Sequence, residues 1–325
     1  MATRKLIVAT GPITDNCRDA LSSVAEVVEL PDDEETLLAA APSAIGFVVR
    51  GTSRLSGAVI EAAKGLLVIG RSGVGVDGVD MATATGKGIP VVITPHAGVN
   101  AVAEGAFAMI LTITKKIRML DEAVRNGTWA DRDRLVLGDL DGATLGIVGM
   151  GRIGRRVARI ASAFDMSLIV ADPLVDEAEA LGLNVQLSEL PELFQNSDYI
   201  TLHAPLLPET RGMVSSQLLE SCQPGTVLVN LARGGLVESY DALLAALDTG
   251  RLAGVGLDVF DPEPPDLSHP LFSDDRVLFS PHALGLSNRA KQQIFKEMAD
   301  GILAVLDGGR AKNIANPEIY SEEKS

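Results

Sequence analysis

Three side chains in this 325-residue sequence, Arg233, Glu263 and His282, are of types that together can do acid–base chemistry on an acid substrate. Each comes after a short apolar run: Arg233 closes "TVLVNLAR", Glu263 comes just after "GVGLDVF" in "DPEPP", and His282 closes "RVLFSPH". Taken singly, each has a bland alternative as a turn cap, a solvated loop carboxylate or a structural histidine. Their joint placement is what sets them apart. Arginine grips a carboxylate through two parallel hydrogen bonds. Histidine exchanges a proton near neutral pH, and a carboxylate touching the imidazole favours its charged form and fixes its tautomer. With a nicotinamide alongside, such a set describes reduction of a 2-oxo acid.

A place for that nicotinamide is offered by "IVGMGRIGRR", where Gly149, Gly151 and Gly154 follow a β-type run and open an amphipathic helix, "RIGRRVARIASAF". Three glycines alone are a weak signal, but the strand-before and helix-after context is the one a dinucleotide loop requires. Gly149 allows the tight turn, Gly151 lets a pyrophosphate approach the backbone, and Gly154 lets helix and strand pack closely. The helix N-terminus adds N–H groups and partial positive charge. The next run ends in "VADP", which puts Asp172 where an acidic residue meets the ribose 2′-hydroxyl. A carboxylate there repels a 2′-phosphate, so NAD is favoured over NADP.

These residues need strands to carry them, and the chain supplies two series. The first is "KLIVAT", "EVVEL", "AIGFVVR", "LLVIGRSG" and "IPVVITP"; the second is "TLGIVGM", "SLIVADP", "SDYITLHAPL", "TVLVNLAR", "GVGLDVF" and "RVLFSPH". Ala- and Leu-rich stretches alternate with them, which predicts an α/β fold of two successive parallel sheets. Between the series, "NAVAEGAFAMILTITKKIRMLDEAVRNG" contains no proline and predicts one long helix, placing a boundary near "TPHAGVN". Length alone favours two domains. Lys plus Arg number 28 against 43 Asp plus Glu, and a formal charge of −15 argues against nucleic acid as a partner. Cys17 and Cys222 form neither a disulfide framework nor a metal-site spacing, which fits a reducing compartment and leaves no metal expected. "MATRKLIVAT" is too short for a signal-peptide core and no run approaches a membrane span, so a cytoplasmic location is expected.

The motifs "GRSGVGVDGVD", "GMGRIGRRVA", "HAPLLPETRGM", "NLARGGLVE", "GVGLDVFDPEPP" and "SPHALG" resemble the D-isomer-specific 2-hydroxyacid dehydrogenase family, most closely its phosphoglycerate dehydrogenase branch. The resemblance implies Arg233, Glu263 and His282 as the catalytic set, with Asp258 on the nicotinamide carboxamide and the backbone of Arg152 and Ile153 on the pyrophosphate. It places His203, Ala204, Pro205 and Thr210, then Leu231, Ala232 and Arg233, then His282 and Gly285, along an NAD cofactor. It sets the backbone of Val74 and Gly75 beside Arg233 on the substrate carboxylate. It also implies a Rossmann NAD-binding domain, 99–283, inserted into a flavodoxin-like substrate domain made of 1–98 and 284–325, and a homodimer formed through the NAD-binding domain. The glycine loop comes late in the chain because its domain interrupts another.

Departures from the family pattern sharpen the expectations. Longer phosphoglycerate dehydrogenases carry a regulatory extension after the last helix, and none follows "NIANPEIY" here, so feedback by serine is not expected. His96 stands in the "TPHAGVN" hinge where many relatives have a small or amide residue; it either bonds to the backbone or meets the substrate head. Arg50 resembles the family's phosphate-binding arginine, but its "RGTSR" context differs, which leaves phosphorylation of the substrate open. Two function classes emerge: an enzyme interconverting a small 2-oxo acid and its (R)-2-hydroxy acid, favoured by the lack of long disordered tails, and an NADH-sensing co-repressor on the same scaffold.

Overall fold

Runs such as "AIGFVV" and "TVLVN", buried almost throughout, have no polar face to turn to water, and only strands covered on both sides by helices satisfy them. The computed structural model describes residues 5–176, 182 and 184–320. It contains two compact units, one from the described residues up to Gly98 and from Leu286 onward, the other from Val99 to Gly285.

The first unit holds five strands: β1 (Leu6–Ala9), β2 (Glu26–Glu29), β3 (Ala44–Val49), β4 (Val68–Arg71) and β5 (Val91–Val92). Their order, β2-β1-β3-β4-β5, is parallel throughout and is the flavodoxin-like arrangement. One face is packed by Leu37, Val59 and Ile60 against Val8, Phe47, Val49 and Ile69. On the other face, Cys17 and Leu21 join Phe295, Met298 and Ile302 of the helix Asn288–Leu306, which returns after the second unit to cover Ile7, Val48 and Val68. Replacing fully buried Ile302 by alanine would cost about 2–5 kcal/mol. The returning chain is pinned by Asn316, whose Oδ1 accepts from Val91 N–H at 3.0 Å and whose Nδ2 donates to the Ile89 carbonyl at 2.9 Å.

The second unit holds β6 (Thr144–Val148), β7 (Ser167–Ala171), β8 (Gln186–Leu187), β9 (Tyr199–Leu202), β10 (Thr226–Asn230), β11 (Leu252–Leu257) and β12 (Val277–Phe279). The order β12-β11-β10-β9-β6-β7-β8 is again parallel. The chain winds outward from β6 to β8 and then returns to lay β9 on the other side of β6. That reversal is the topological switch point, beyond whose carboxyl ends a doubly wound sheet binds its ligand. The fold is thus two doubly wound parallel α/β sheets, the second a Rossmann domain.

The single long helix expected across 100–127 is in fact two, Val99–Thr114 and Ile117–Arg125. Lys116 between them is left-handed, with φ of 49°. The cause is tertiary: Gly138 N–H donates to the Thr114 carbonyl at 3.1 Å, and Lys115 Nζ reaches the Gly138 carbonyl at 2.7 Å. A later loop thereby takes the Thr114 carbonyl that a continuing helix would use. Among the described residues no helix is long and apolar enough to cross a membrane.

Candidate active site

Adjacent parallel strands deliver their following loops to one edge of the sheet, and β10, β11 and β12 are neighbours. Arg233 follows β10, Asp258 and Glu263 follow β11, and His282 follows β12. Glu263 meets His282 directly, its Oε1 and Oε2 at 3.1 and 2.8 Å from Nδ1. Phe260 N–H donates to the same Oε1 at 3.0 Å. Burial pushes the Glu263 carboxyl up, but the bonds from His282 and Phe260 and the nearby positive charge of Arg233 outweigh it and hold the group below its ordinary range. An ionised Glu263 at Nδ1 leaves Nε2 as the nitrogen that carries the transferable proton.

His282 sits at φ of 53°, a left-handed conformation uncommon for a residue with a side chain. Asp258 holds it there. The Asp258 carbonyl accepts His282 N–H at 2.7 Å, while its carboxylate accepts from Ala283 at 2.9 Å and from Leu284 at 3.3 Å. Only 3% exposed, the Asp258 carboxyl is pushed above its usual range by burial in spite of those donors. Arg233 is half-buried, and its NH1 donates to the Ala232 carbonyl at 2.7 Å. Fully buried Asn230, missed in the sequence, brackets that turn by donating to the Arg233 carbonyl at 2.8 Å and accepting from Ala232 N–H at 3.0 Å. An amide side chain closing a strand buried along its whole length was the available signal.

The glycine loop lies at the switch point. Gly149 has φ of 93°, and a Cβ there would lie 2.7 Å from Ala204 N, so β6 and the loop after β9 close on each other. A Cβ at Gly154 would overlap the Gly149 carbonyl, whereas one at Gly151 would meet nothing within 4 Å. Gly151 caps the helix Arg152–Ser162 without a side-chain bond, so the N–H groups of Arg152 and Ile153 have no intrahelical acceptor. An open cradle with such donors fits a pyrophosphate. Asp172 accepts from Met150 N–H at 2.6 Å and Leu174 N–H at 2.9 Å, which fixes its carboxylate beside that cradle.

His203, Ala204 and Pro205 follow β9, and Thr210 locks their turn by donating to the Pro205 carbonyl at 2.7 Å and accepting from Leu207 N–H at 2.8 Å. His203 Nε2 meets Thr201 Oγ1 at 2.9 Å, its Nδ1 is buried without a partner, and burial pushes the imidazole down to about 3. Leu231 is buried, and Gly285 packs towards Val102 within the same unit.

In the first unit, Arg50 follows β3 with its guanidinium 5.9 Å over the Phe295 ring and its buried Nε unbonded. Arg71, also missed in the sequence, ends neighbouring β4 directly opposite Val49 and bonds Gly51 and Ser72 carbonyls. It was hidden because it is the last residue of a strand rather than part of a loop. Val74 is 54% exposed and Gly75 half-buried in the loop after β4. His96 is exposed in a turn, and its side chain makes no hydrogen bond among the described residues. Among the described residues no group of three or more His, Cys, Asp or Glu is placed to hold a metal.

Residues 107–283, just over half of the chain, match the family described as "D-isomer specific 2-hydroxyacid dehydrogenase, NAD binding domain". The chain is 37% identical over 320 residues to the D-3-phosphoglycerate dehydrogenase of Methanocaldococcus jannaschii, covering 98% of this chain and 60% of that protein. It spans about three fifths of the length of such relatives. Among solved structures it is similar to the TT0316 protein from Thermus thermophilus, with a TM-score of 0.88, 32% identity, and 95% of this chain and 99% of that one covered. A D-lactate dehydrogenase from Aquifex aeolicus, solved with NAD and lactic acid, gives a TM-score of 0.88 at 26% identity, covering 96% of this chain and 99% of that one.

Proposed function

The chain belongs to the D-isomer specific 2-hydroxyacid dehydrogenase family, and on that premise we propose that it is an NAD-dependent oxidoreductase interconverting a small 2-oxo acid and its (R)-2-hydroxy acid. The observation that carries this reading is the Glu263–His282 pair, at 2.8 Å, on the strand edge it shares with Arg233. When bound, the reduced nicotinamide supplies the hydride that adds to the second carbon of the oxo acid. His282 donates a proton from Nε2 to the oxygen on which charge develops, and Glu263 at Nδ1 keeps the imidazole oriented. Arg233 grips the carboxylate and draws charge from the adjacent carbonyl. In the opposite direction His282 takes the proton back.

We assign the cofactor to Gly149, Gly151, Gly154, the N–H groups of Arg152 and Ile153, and Asp172, with His203, Ala204, Pro205, Thr210, Leu231, Ala232, Asp258 and Gly285 along it. Arg233 of the second unit is assigned to the substrate carboxylate, and within the first unit, taken by itself, Arg50, Val74, Gly75 and His96 are kept as substrate-binding candidates. Two arginines at the carboxyl ends of neighbouring strands, Arg50 just after β3 and Arg71 closing β4, favour an acid with a second anionic group, in keeping with relatives named for phosphoglycerate. The named relatives are enzymes, and nothing among them favours the co-repressor alternative.

A homodimer is supported by exposed apolar side chains on the second unit, Ile117, Met119, Val124, Trp129, Val136 and Leu137, which cost little only if another surface covers them. Two buried free cysteines suit a cytoplasmic setting. Purified protein, NADH and a panel of hydroxypyruvate, phosphohydroxypyruvate, glyoxylate, oxaloacetate and branched-chain oxo acids, followed by absorbance, tests the activity. No oxidation of NADH with any of them overturns the reading.

A further inference from the structure

We propose that Arg211 is a positioning residue for the proton donor, acting through Asp261 to hold the loop that carries Glu263. This rests on the reading of Glu263 and His282 as the donor pair. Arg211 NH1 bonds Asp261 Oδ2 at 2.8 Å, although fifty residues separate them in sequence. The pair lies across Gly235, where a Cβ would stand 2.8 Å from Asp261 Oδ2 and 3.0 Å from Arg211 NH1. One residue earlier, a Cβ at Gly234 would overlap the Phe260 carbonyl and Asp261 N. The turn after Arg233 therefore seats directly on the Phe260–Asp261 peptide, and Arg211 closes over it.

The other side of the same peptide is fixed as well. Phe260 packs on Phe272 and Phe279 at centroid distances of 6.0 and 6.3 Å, and those two rings stack at 5.0 Å. Arg211's own segment is laced to the turn by Gly212 N–H on the Gly235 carbonyl at 2.9 Å and Val214 N–H on the Leu236 carbonyl at 3.0 Å. With Phe260 anchored by rings and Asp261 by Arg211, the Phe260 N–H can hold Glu263 Oε1 against His282. One ion pair thus joins the segment after β9, itself bonded to the turn after Arg233, to the loop that carries Glu263.

Arg211 and Asp261 are 60% and 48% exposed, and an ion pair so open to water adds little to folding stability. Positioning and structural roles are therefore separable by measurement. Charged groups facing His282 are Glu263 and Asp258, with Arg233 beside Glu263. A loosened Glu263 no longer holds the imidazole in one orientation, so proton transfer slows while cofactor binding is spared.

In Arg211→Gln and Asp261→Asn, kcat for oxo-acid reduction should fall about three- to tenfold, with KM for NADH changing less than about twofold. The double variant should be no worse than either single one, Arg211→Lys should restore most of the rate, and Gly235→Ala, which wedges the pair open, should reproduce the defect. Unchanged kcat in both single variants overturns the proposal, as does a fall in Tm that tracks the loss of rate. His282→Ala measured alongside keeps the premises apart: if it stays active, the donor assignment itself fails, whereas an inactive His282→Ala with normal Arg211 variants defeats only the role of Arg211.

Discussion

The carbonyl oxygen of Asp258 accepts the amide N–H of His282 at 2.7 Å, so the backbone of His282 hangs from the strand beside its own. Its left-handed φ is imposed by this bond and by the one to the Ser280 carbonyl, and aims the ring at Glu263.

Replacing the ring should therefore remove chemistry while sparing cofactor binding. In His282→Ala, kcat should fall at least about a hundredfold while the NADH dissociation constant, read by fluorescence titration, changes less than about threefold. Glu263→Gln keeps the shape but loses the charge. Its reductive kcat should fall about tenfold or more, because a neutral amide holds Nδ1 through a weaker bond than the carboxylate does. An unchanged kcat would reduce Glu263 to a structural role.

Asp172 uses both oxygens on backbone N–H groups of the glycine loop and the following turn. The unaltered protein should prefer NADH to NADPH by a large factor in kcat/KM, and Asp172→Ala should narrow that gap about tenfold or more by removing repulsion of the 2′-phosphate. Part of the loss with NADH would come from the freed Met150 N–H. Equal turnover with both cofactors before mutation would contradict the assignment.

For Arg50, the informative quantity is a ratio of substrates. Arg50→Ala should raise KM for acids with an anionic tail about tenfold more than KM for glyoxylate, since only the former carry a second charge. A uniform rise across the panel would mark Arg50 as a structural support for Phe295.

The neutral His203 gives a stability signature. Its folded value of about 3 lies below the ordinary 6.5, so between those limits the unfolded chain holds a proton that the folded one refuses. Stability contributed by the neutral ring is full above about pH 6.5 and is lost as pH falls towards 3, at up to roughly 1.4 kcal/mol per pH unit. Thermal melts of His203→Gln from pH 7 to 4 should show a shallower acid decline. An identical slope would mean the ring is protonated in the folded state.

Much of the fold was legible because buried parallel strands betray themselves: "AIGFVVR" and "TVLVNLAR" can be little else, and the loops beyond their carboxyl ends are where ligands meet such sheets. Arg233 and His282 could be found that way. Gln186–Leu187 could not, being two residues long and half polar. Nor could the break at Lys116, whose cause lies in Gly138, or the bond from Arg211 to Asp261, for both depend on partners that only folding brings near. His96 shows the same limit, since nothing local decides whether a turn histidine finds a carbonyl.

The late return of the helix Asn288–Leu306 has a consequence for the order in which the chain acquires structure during synthesis. When Val92 leaves the ribosome, all five strands of the first sheet exist, but Ile7, Val48 and Val68 still lack Phe295, Met298 and Ile302. The whole second unit, contiguous from Val99 to Gly285, is translated before those side chains arrive. At ordinary elongation rates the wait is roughly ten to forty seconds, ample for the interrupting unit to fold on its own contiguous stretch. The first-made sheet is therefore the last-finished, and throughout that interval its uncovered apolar face is the part of the nascent chain most open to misassociation and to chaperone capture.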